Sequence, residues 1–177
     1  RVVMSTDHPN GGSFMAYPQI IRLLMDATYR NDVLRSVHPD VMSRCVLGDI
    51  DREYTLNEIC IITRAGPAKI LGLKHKGHLG VGADADITIY SPHENKEVMF
   101  EMPRYVIKSG EILIDECELK QQTFGKTFNV APAYDVEVEA DIADWFEQYY
   151  SVQFRNYPIS DDYVHDSELV DCHEKES

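Results

Sequence analysis

The chain has 177 residues, enough to bury a sizeable core in one domain or two small ones. Its formal net charge of −13 is unevenly spread: residues 135–177 hold 13 Asp/Glu against 2 Lys/Arg, while residues 1–134 hold 17 against 15. Such an acidic end repels phosphate and no basic, aromatic-bearing patch offsets it, which excludes a nucleic-acid partner. No apolar run reaches membrane-spanning length and no signal peptide is present, so no membrane partner is expected and a cytoplasmic location is. Cys45, Cys60, Cys117 and Cys172 are spaced too widely for a zinc, iron–sulfur or redox motif and read as free thiols in a reducing compartment.

In chain order, Val2-Val3 reads as a strand, and Ser5-Thr6-Asp7-His8-Pro9-Asn10-Gly11-Gly12 as a polar turn leading to a helix. Pro9 and Gly11-Gly12 forbid regular structure, so Asp7 and His8 are displayed from a loop. A carboxylate at the end of a strand sits where α/β barrels place their chemistry. Beside an imidazole it suits metal ligation or proton transfer. It equally suits acceptance of backbone N–H bonds at a helix start, and both readings stand at this point.

Residues 17–30 predict one helix, with Ile20, Leu23, Leu24 and Ala27 on one face, Pro18 in the first turn and Arg30 at the C-terminal end. His38-Pro39-Asp40 starts a short helical turn through Cys45. Asp49, Asp51 and Glu53 alternate without a full calcium-loop pattern and read as a solvated loop. Thr55-Leu56-Asn57-Glu58 is a capping box, with Leu56, Ile59, Cys60 and Thr63 on the face behind it. Gly66 is expected to end that helix, Pro67 to open another through Leu71, and Gly72 to close it. A glycine-punctuated connection follows to Asp86. His75 and His78 lie three apart there, but with no third ligand nearby they read as surface-loop residues.

Ile87–Tyr90, Glu97–Phe100, Tyr105–Lys108 and Glu111–Ile114 read as short antiparallel strands, the last two joined by a Ser109-Gly110 hairpin turn. Residues 136–154 contain a helix whose stripe of Ile142, Trp145, Phe146 and Tyr149 reads as a docking face. From about Ser160 the acidic end is expected to fray.

Thr63-Arg64-Ala65-Gly66-Pro67-Ala68-Lys69-Ile70-Leu71-Gly72-Leu73, followed by Gly77-His78-Leu79-Gly80-Val81-Gly82-Ala83-Asp84-Ala85-Asp86-Ile87, resembles the C-terminal segment of the amidohydrolase superfamily. The Ser5–Gly12 turn with the run to Met25, and Phe146 to Phe154, are similar to one branch, the amidohydrolase-type subunits of formylmethanofuran dehydrogenases. The corresponding subunits of methylotroph formyltransferase/hydrolase complexes are close to it. The resemblance covers most of residues 1–158 and implies an α+β fold. Residues 1–73 would be the end of a metal-dependent (β/α)8 barrel, residues 74–134 a small β-sandwich-type module, and residues 135–177 an aromatic helix and acidic tail.

That branch interconverts formate plus methanofuran with formylmethanofuran in one-carbon metabolism, including methanogenesis. It does so as a hydrolase subunit of an oxidoreductase complex whose partner subunit carries tungsten or molybdenum. The resemblance implies a binuclear zinc centre held by a His-x-His pair, a carboxylated lysine, further histidines and an aspartate. Only the aspartate maps here, on Asp7, as metal ligand and proton shuttle; His8 and Asn10 are adjacent candidates for substrate or supporting contacts. No His-x-His pair occurs in the chain. The expectation is therefore a fragment of a longer enzyme, inactive alone, holding no zinc firmly, and prone to self-association through an uncovered helix face. The other subunits of the complex are its expected partners. Two alternatives are a fragment of another cyclic-amide hydrolase or deaminase of the superfamily, and a non-catalytic interaction domain.

Overall fold

The computed structural model describes residues 2–158, 161–164 and 166–171. They fall into two compact units, divided between Thr123 and Phe124.

In the first unit, a 3-10 turn at Phe14–Ala16 runs into α1 (Tyr17–Met25), with Pro18 in its first turn, followed by α2 (Ala27–Ser36) and α3 (Pro39–Met42). The single helix expected over 17–30 is broken at Asp26. The Asp26 carboxylate accepts the Tyr29 N–H at 2.8 Å and caps α2, which holds the Asp26 backbone extended. Hydrophobic periodicity continues through the break, so it does not reveal it. Arg30, expected at a helix end, is only 2% exposed. Its guanidinium donates to the carbonyls of Leu23 (2.9 Å) and Leu24 (3.4 Å) in the last turn of α1, and to those of Ile50 (3.0 Å) and Arg52 (2.9 Å) in the following loop.

The capping box at Thr55 opens α4 (Leu56–Cys60): Glu58 N–H donates to Thr55 Oγ1 at 3.2 Å and Thr55 N–H to Glu58 Oε2 at 2.9 Å. Gly66 does not end the helix. A π-helical turn, Ile61–Ala65, carries the chain into α5 (Gly66–Ile70), with Gly66 in ordinary helical conformation. Its N–H reaches the Ile61 carbonyl, and a Cβ on Gly66 would sit 2.7 Å from that oxygen. The glycine serves close approach within the wide turn. Gly72, at φ 73, follows the end of α5. The core is Ile21, Met25 and Ile59, with Met4, Leu24, Tyr54, Ile62 and Phe100 packed around it.

A four-stranded antiparallel sheet follows, in the order β1 (Ile87–Ile89), β2 (Tyr105–Lys108), β3 (Glu111–Asp115) and β4 (Glu118–Leu119). Ile107 lies opposite both Ile87 and Ile112, and the register shifts between Val106 and Ile107. Ser109 and Gly110 both have positive φ, as a two-residue hairpin turn requires. The strand expected at Glu97–Phe100 is instead α6 (Lys96–Glu101). Asn95 caps it through the Glu97 N–H at 2.9 Å, Arg22 on α1 pairs with Glu97 at 3.1 Å, and Phe100 turns into the core. Cap and packing override β propensity there. Val2-Val3 joins no ladder among the described residues; the adjoining Met4 N–H donates to the Ile62 carbonyl at 3.0 Å. No closed barrel forms among the described residues.

The second unit holds β5 (Thr127–Ala131), α7 (Val138–Tyr149) and β6 (Ser167–Asp171), with β5 and β6 paired in parallel. Residues 167–171 are therefore ordered by a ladder and not frayed; residues 159, 160, 165 and 172–177, including Cys172, lie outside the described residues. Cys45, Cys60 and Cys117 are free thiols.

Gly77 packs against the π-helical turn: at φ 77, a Cβ there would lie 2.6 Å from Ala68 Cβ and 2.9 Å from the Arg64 carbonyl. Gly77→Ala is expected to lose about 3 kcal/mol through left-handed strain plus overpacking. Gly82→Ala, at φ 84 with open space around the new Cβ, is expected to lose about 1 kcal/mol from strain alone. Urea denaturation of the two variants separates the terms; equal losses would show that the contact with Ala68 carries no weight.

Candidate active site

The turn at residues 5–12 is fixed at both ends. Before it, Met4 is held by its bond to Ile62 and by the core. After it, Ser13 Oγ accepts the Met15 N–H at 3.1 Å and caps the 3-10 turn that leads into α1. Within it, Asp7 takes a left-handed backbone, φ 50, a conformation that Asp tolerates better than most residues. The Asp7 N–H donates to Ser5 Oγ at 3.3 Å, and its carbonyl accepts the Gly11 N–H at 2.7 Å. The peptide between His8 and Pro9 is cis.

Asp7, His8 and Asn10 are thus brought together on one exposed turn. Among the described residues nothing hydrogen-bonds to the Asp7 carboxylate, and the helix-capping role open to it from sequence is filled by Ser13. Asn10 is exposed in the same turn. His8 is oriented by Phe14: its Nδ1 accepts the Phe14 N–H at 3.4 Å, and the two rings meet edge to face at 4.8 Å. With Nδ1 occupied as an acceptor, Nε2 is the nitrogen left for other partners. Gly11 lies directly against Asp7. A Cβ there would be 2.9 Å from Asp7 Cβ and 3.2 Å from Oδ2, so the turn closes on the carboxylate only because residue 11 has no side chain. The glycine pair was visible in sequence; its contact with Asp7 and the partnership of His8 with Phe14 were not.

The other candidates fall apart as sites. His75 and His78 serve the loop that carries them: His75 Nδ1 lies 3.0 Å from the Gly82 carbonyl, His78 Nε2 lies 3.0 Å from the Lys74 carbonyl, and Gly80 N–H donates to His78 Nδ1 at 3.1 Å. Glu53 accepts the Ala27 N–H at 2.9 Å, tying its loop to the start of α2. Among the described residues no three His, Cys, Asp or Glu side chains gather as a metal-holding group.

A structural ion network lies between the glycine-rich loop and the β2–β3 hairpin. Lys76 Nζ donates to Asp84 at 2.6 Å and to Asp86 at 2.7 Å; Lys108 Nζ donates to both Asp86 oxygens, at 2.9 and 2.7 Å; Ser109 N–H adds a bond to Asp86 at 2.9 Å. Partial burial opposes charge on Asp86, but Lys108, Lys76 and the Ser109 N–H outweigh it and hold the carboxyl well below the usual range. Glu58 is pulled down to about 2 by Arg52 and Thr55, and Glu116 to about 2 by Arg104 and Tyr105.

These three carboxylates have folded pKa values below their unfolded ones, so their stabilisation is complete above the unfolded values, near 4. It is lost as pH falls towards the folded ones. The urea midpoint is expected to be level from about pH 8 to 5 and to drop between about pH 4.5 and 2. Asp86→Asn is expected to lower the midpoint at neutral pH and to flatten that drop. An acid transition of unchanged steepness in the variant would remove Asp86 from the explanation.

Residues 1–114 match the amidohydrolase family. Over 96% of its length the chain is 42% identical to the protein FwdA of Methanocaldococcus jannaschii, covering 32% of that protein. Over 87% it is 40% identical to FhcA of the formyltransferase/hydrolase complex Fhc of Methylorubrum extorquens, covering 27% of it. The crystal structure of the M. extorquens complex FhcABCD with methylofuran contains a chain that superposes with a TM-score of 0.77 at 34% identity, over 98% of this chain and 33% of that one. The chain therefore spans about a third of the length of these relatives.

Proposed function

The chain belongs to the amidohydrolase family, and from that premise we propose that it is the C-terminal portion of the hydrolase subunit of a formylmethanofuran dehydrogenase or formyltransferase/hydrolase complex. The parent protein interconverts formylmethanofuran with formate and methanofuran. The observation that carries this reading is the 42% identity to FwdA across 96% of the chain.

Asp7 fits one ligand position of a binuclear zinc centre: its carboxylate is exposed, is displayed from a fixed turn, and is free of hydrogen bonds among the described residues. The remaining ligands are not gathered among those residues and belong to the rest of the parent protein. Bound there, such a centre would supply Lewis-acid chemistry, acidifying the attacking water and polarising the formyl oxygen. Asp7 takes a proton from the water that attacks the formyl carbon. It delivers the proton to the amine nitrogen as the C–N bond breaks, leaving formate and methanofuran. His8, held through Nδ1 by Phe14, turns its other nitrogen to the substrate, and Asn10 offers a hydrogen-bonding amide beside it.

Because one carboxylate cannot hold the centre, residues 1–177 alone are expected to hydrolyse no formylmethanofuran and to retain less than one zinc per chain after dialysis. The full-length parent is expected to do both. Turnover by the isolated chain, or a full-length parent that binds zinc but leaves formylmethanofuran intact, would overturn the assignment.

A further inference from the structure

α7 carries two apolar faces. Phe146 packs on Phe154 and Tyr157, with ring centroids 5.8 and 5.2 Å apart, and this fastens the helix within its unit. At the spacing of a second stripe stand Val138, Ile142, Trp145 and Tyr149, which are 40, 38, 49 and 62% exposed. At 100° per residue these four fall within a narrow sector; Asp141 borders it on the side away from Phe146, and Asp144 lies further round on that same side. The helix also carries Glu139 and Glu147 and has no Lys, Arg or His. Residues 124–177 hold 13 Asp/Glu against 3 Lys/Arg.

We infer that this stripe docks onto a surface of a sister subunit edged by arginine or lysine. The inference rests on the complex-subunit reading above. Three observations choose that occupant. An acidic border repels anionic lipid and nucleic acid. It also repels a second copy of itself, since a two-fold contact would set Asp141 and Asp144 against like charges. Trp and Tyr beside carboxylates suit a guanidinium, which stacks on the rings and pairs with the acids. Finally, α7 lies beyond residues 1–114, the part that matches the amidohydrolase family, yet the chain superposes over 98% of its length on a chain of the FhcABCD complex. The helix is thus additional to the segment shared with the hydrolase family and is present in a protein that assembles with others.

The test uses the full-length parent protein with its sister subunits. A photoreactive benzoylphenylalanine replaces Tyr149, the complex is irradiated, and the joined peptides are read by mass spectrometry. The expected product joins residue 149 to a sister-subunit peptide containing Arg or Lys. Asp141→Lys with Asp144→Lys, both exposed, is expected to raise the dissociation constant at least tenfold, and Trp145→Ala about thirtyfold. Circular dichroism of the charge variant is expected to match the parent, since it leaves the Phe146 face untouched. Cross-links only within the same polypeptide or to a second copy, no cross-link, or unchanged affinity after charge reversal would overturn the docking proposal. If the unmodified parent assembles with sister subunits while residue 149 cross-links elsewhere, only this proposal fails. If the parent purifies without any sister subunit, the complex-subunit reading fails with it.

Discussion

Asp7→Asn in the full-length parent is expected to lower formylmethanofuran hydrolysis about a thousandfold, the scale of a lost proton relay, while moving the unfolding free energy by no more than about 0.5 kcal/mol. The two halves of that expectation come from the same feature. The carboxylate is exposed and accepts no hydrogen bond among the described residues, so the fold gains little from its charge. Asparagine preserves its size and the tight contact with Gly11, but it cannot accept a proton and is a poor zinc ligand. Zinc content measured beside turnover separates the roles. A variant that keeps its metal yet loses rate isolates proton transfer, and one that loses both assigns Asp7 chiefly to ligation. Activity within tenfold of the parent would remove Asp7 from the chemistry.

The second large effect is structural. Arg30→Ala is expected to lose about 3–5 kcal/mol, enough to unfold a marginal domain. Arg30 is a buried cation without a carboxylate partner among the described residues: two of its four acceptors, Leu23 and Leu24, are carbonyls at the negative end of α1, and the other two, Ile50 and Arg52, hold the loop before α4. Truncation leaves those carbonyls short of donors and opens a cavity. Arg30→Lys keeps the charge but cannot reach both pairs of acceptors, and is expected to recover roughly half of the loss. Urea denaturation of both variants checks this. A lysine variant as stable as the parent would show that charge at the helix end, and not the fork of donors, is what matters.

Arg30 also marks the limit of what the residues disclose by themselves. It was expected to close a single helix and stands instead in the first turn of α2; neither that nor its burial was legible, because its acceptors come from two segments, Leu23–Leu24 and Ile50–Arg52, that are distant in sequence. The Thr55 box, the Ser109-Gly110 turn and Gly72 were legible because their chemistry is local. Asp26 hid its break inside an unbroken apolar period. Glu97–Phe100 looked like a strand until packing against α1 decided otherwise, and Gly66 looked like a stop until the π-helical turn gave it a different task. At the candidate site, the residue types of the turn pointed to Asp7, but the closeness of Gly11 and the partner of His8 needed three dimensions.

The parallel ladder of β5 and β6 has a consequence for biosynthesis. Thr127 meets Ser167 and Val130 meets Val170, across the whole of α7. A ribosome must therefore make the intervening residues before β5 finds this mate, and until then its backbone edge is a template for other chains. Proteolytic nicking between Tyr157 and Ser167 would not be a harmless trimming. It would convert an intramolecular pairing into one that must compete with aggregation, and the shelf life of the protein would depend on the integrity of that short connection.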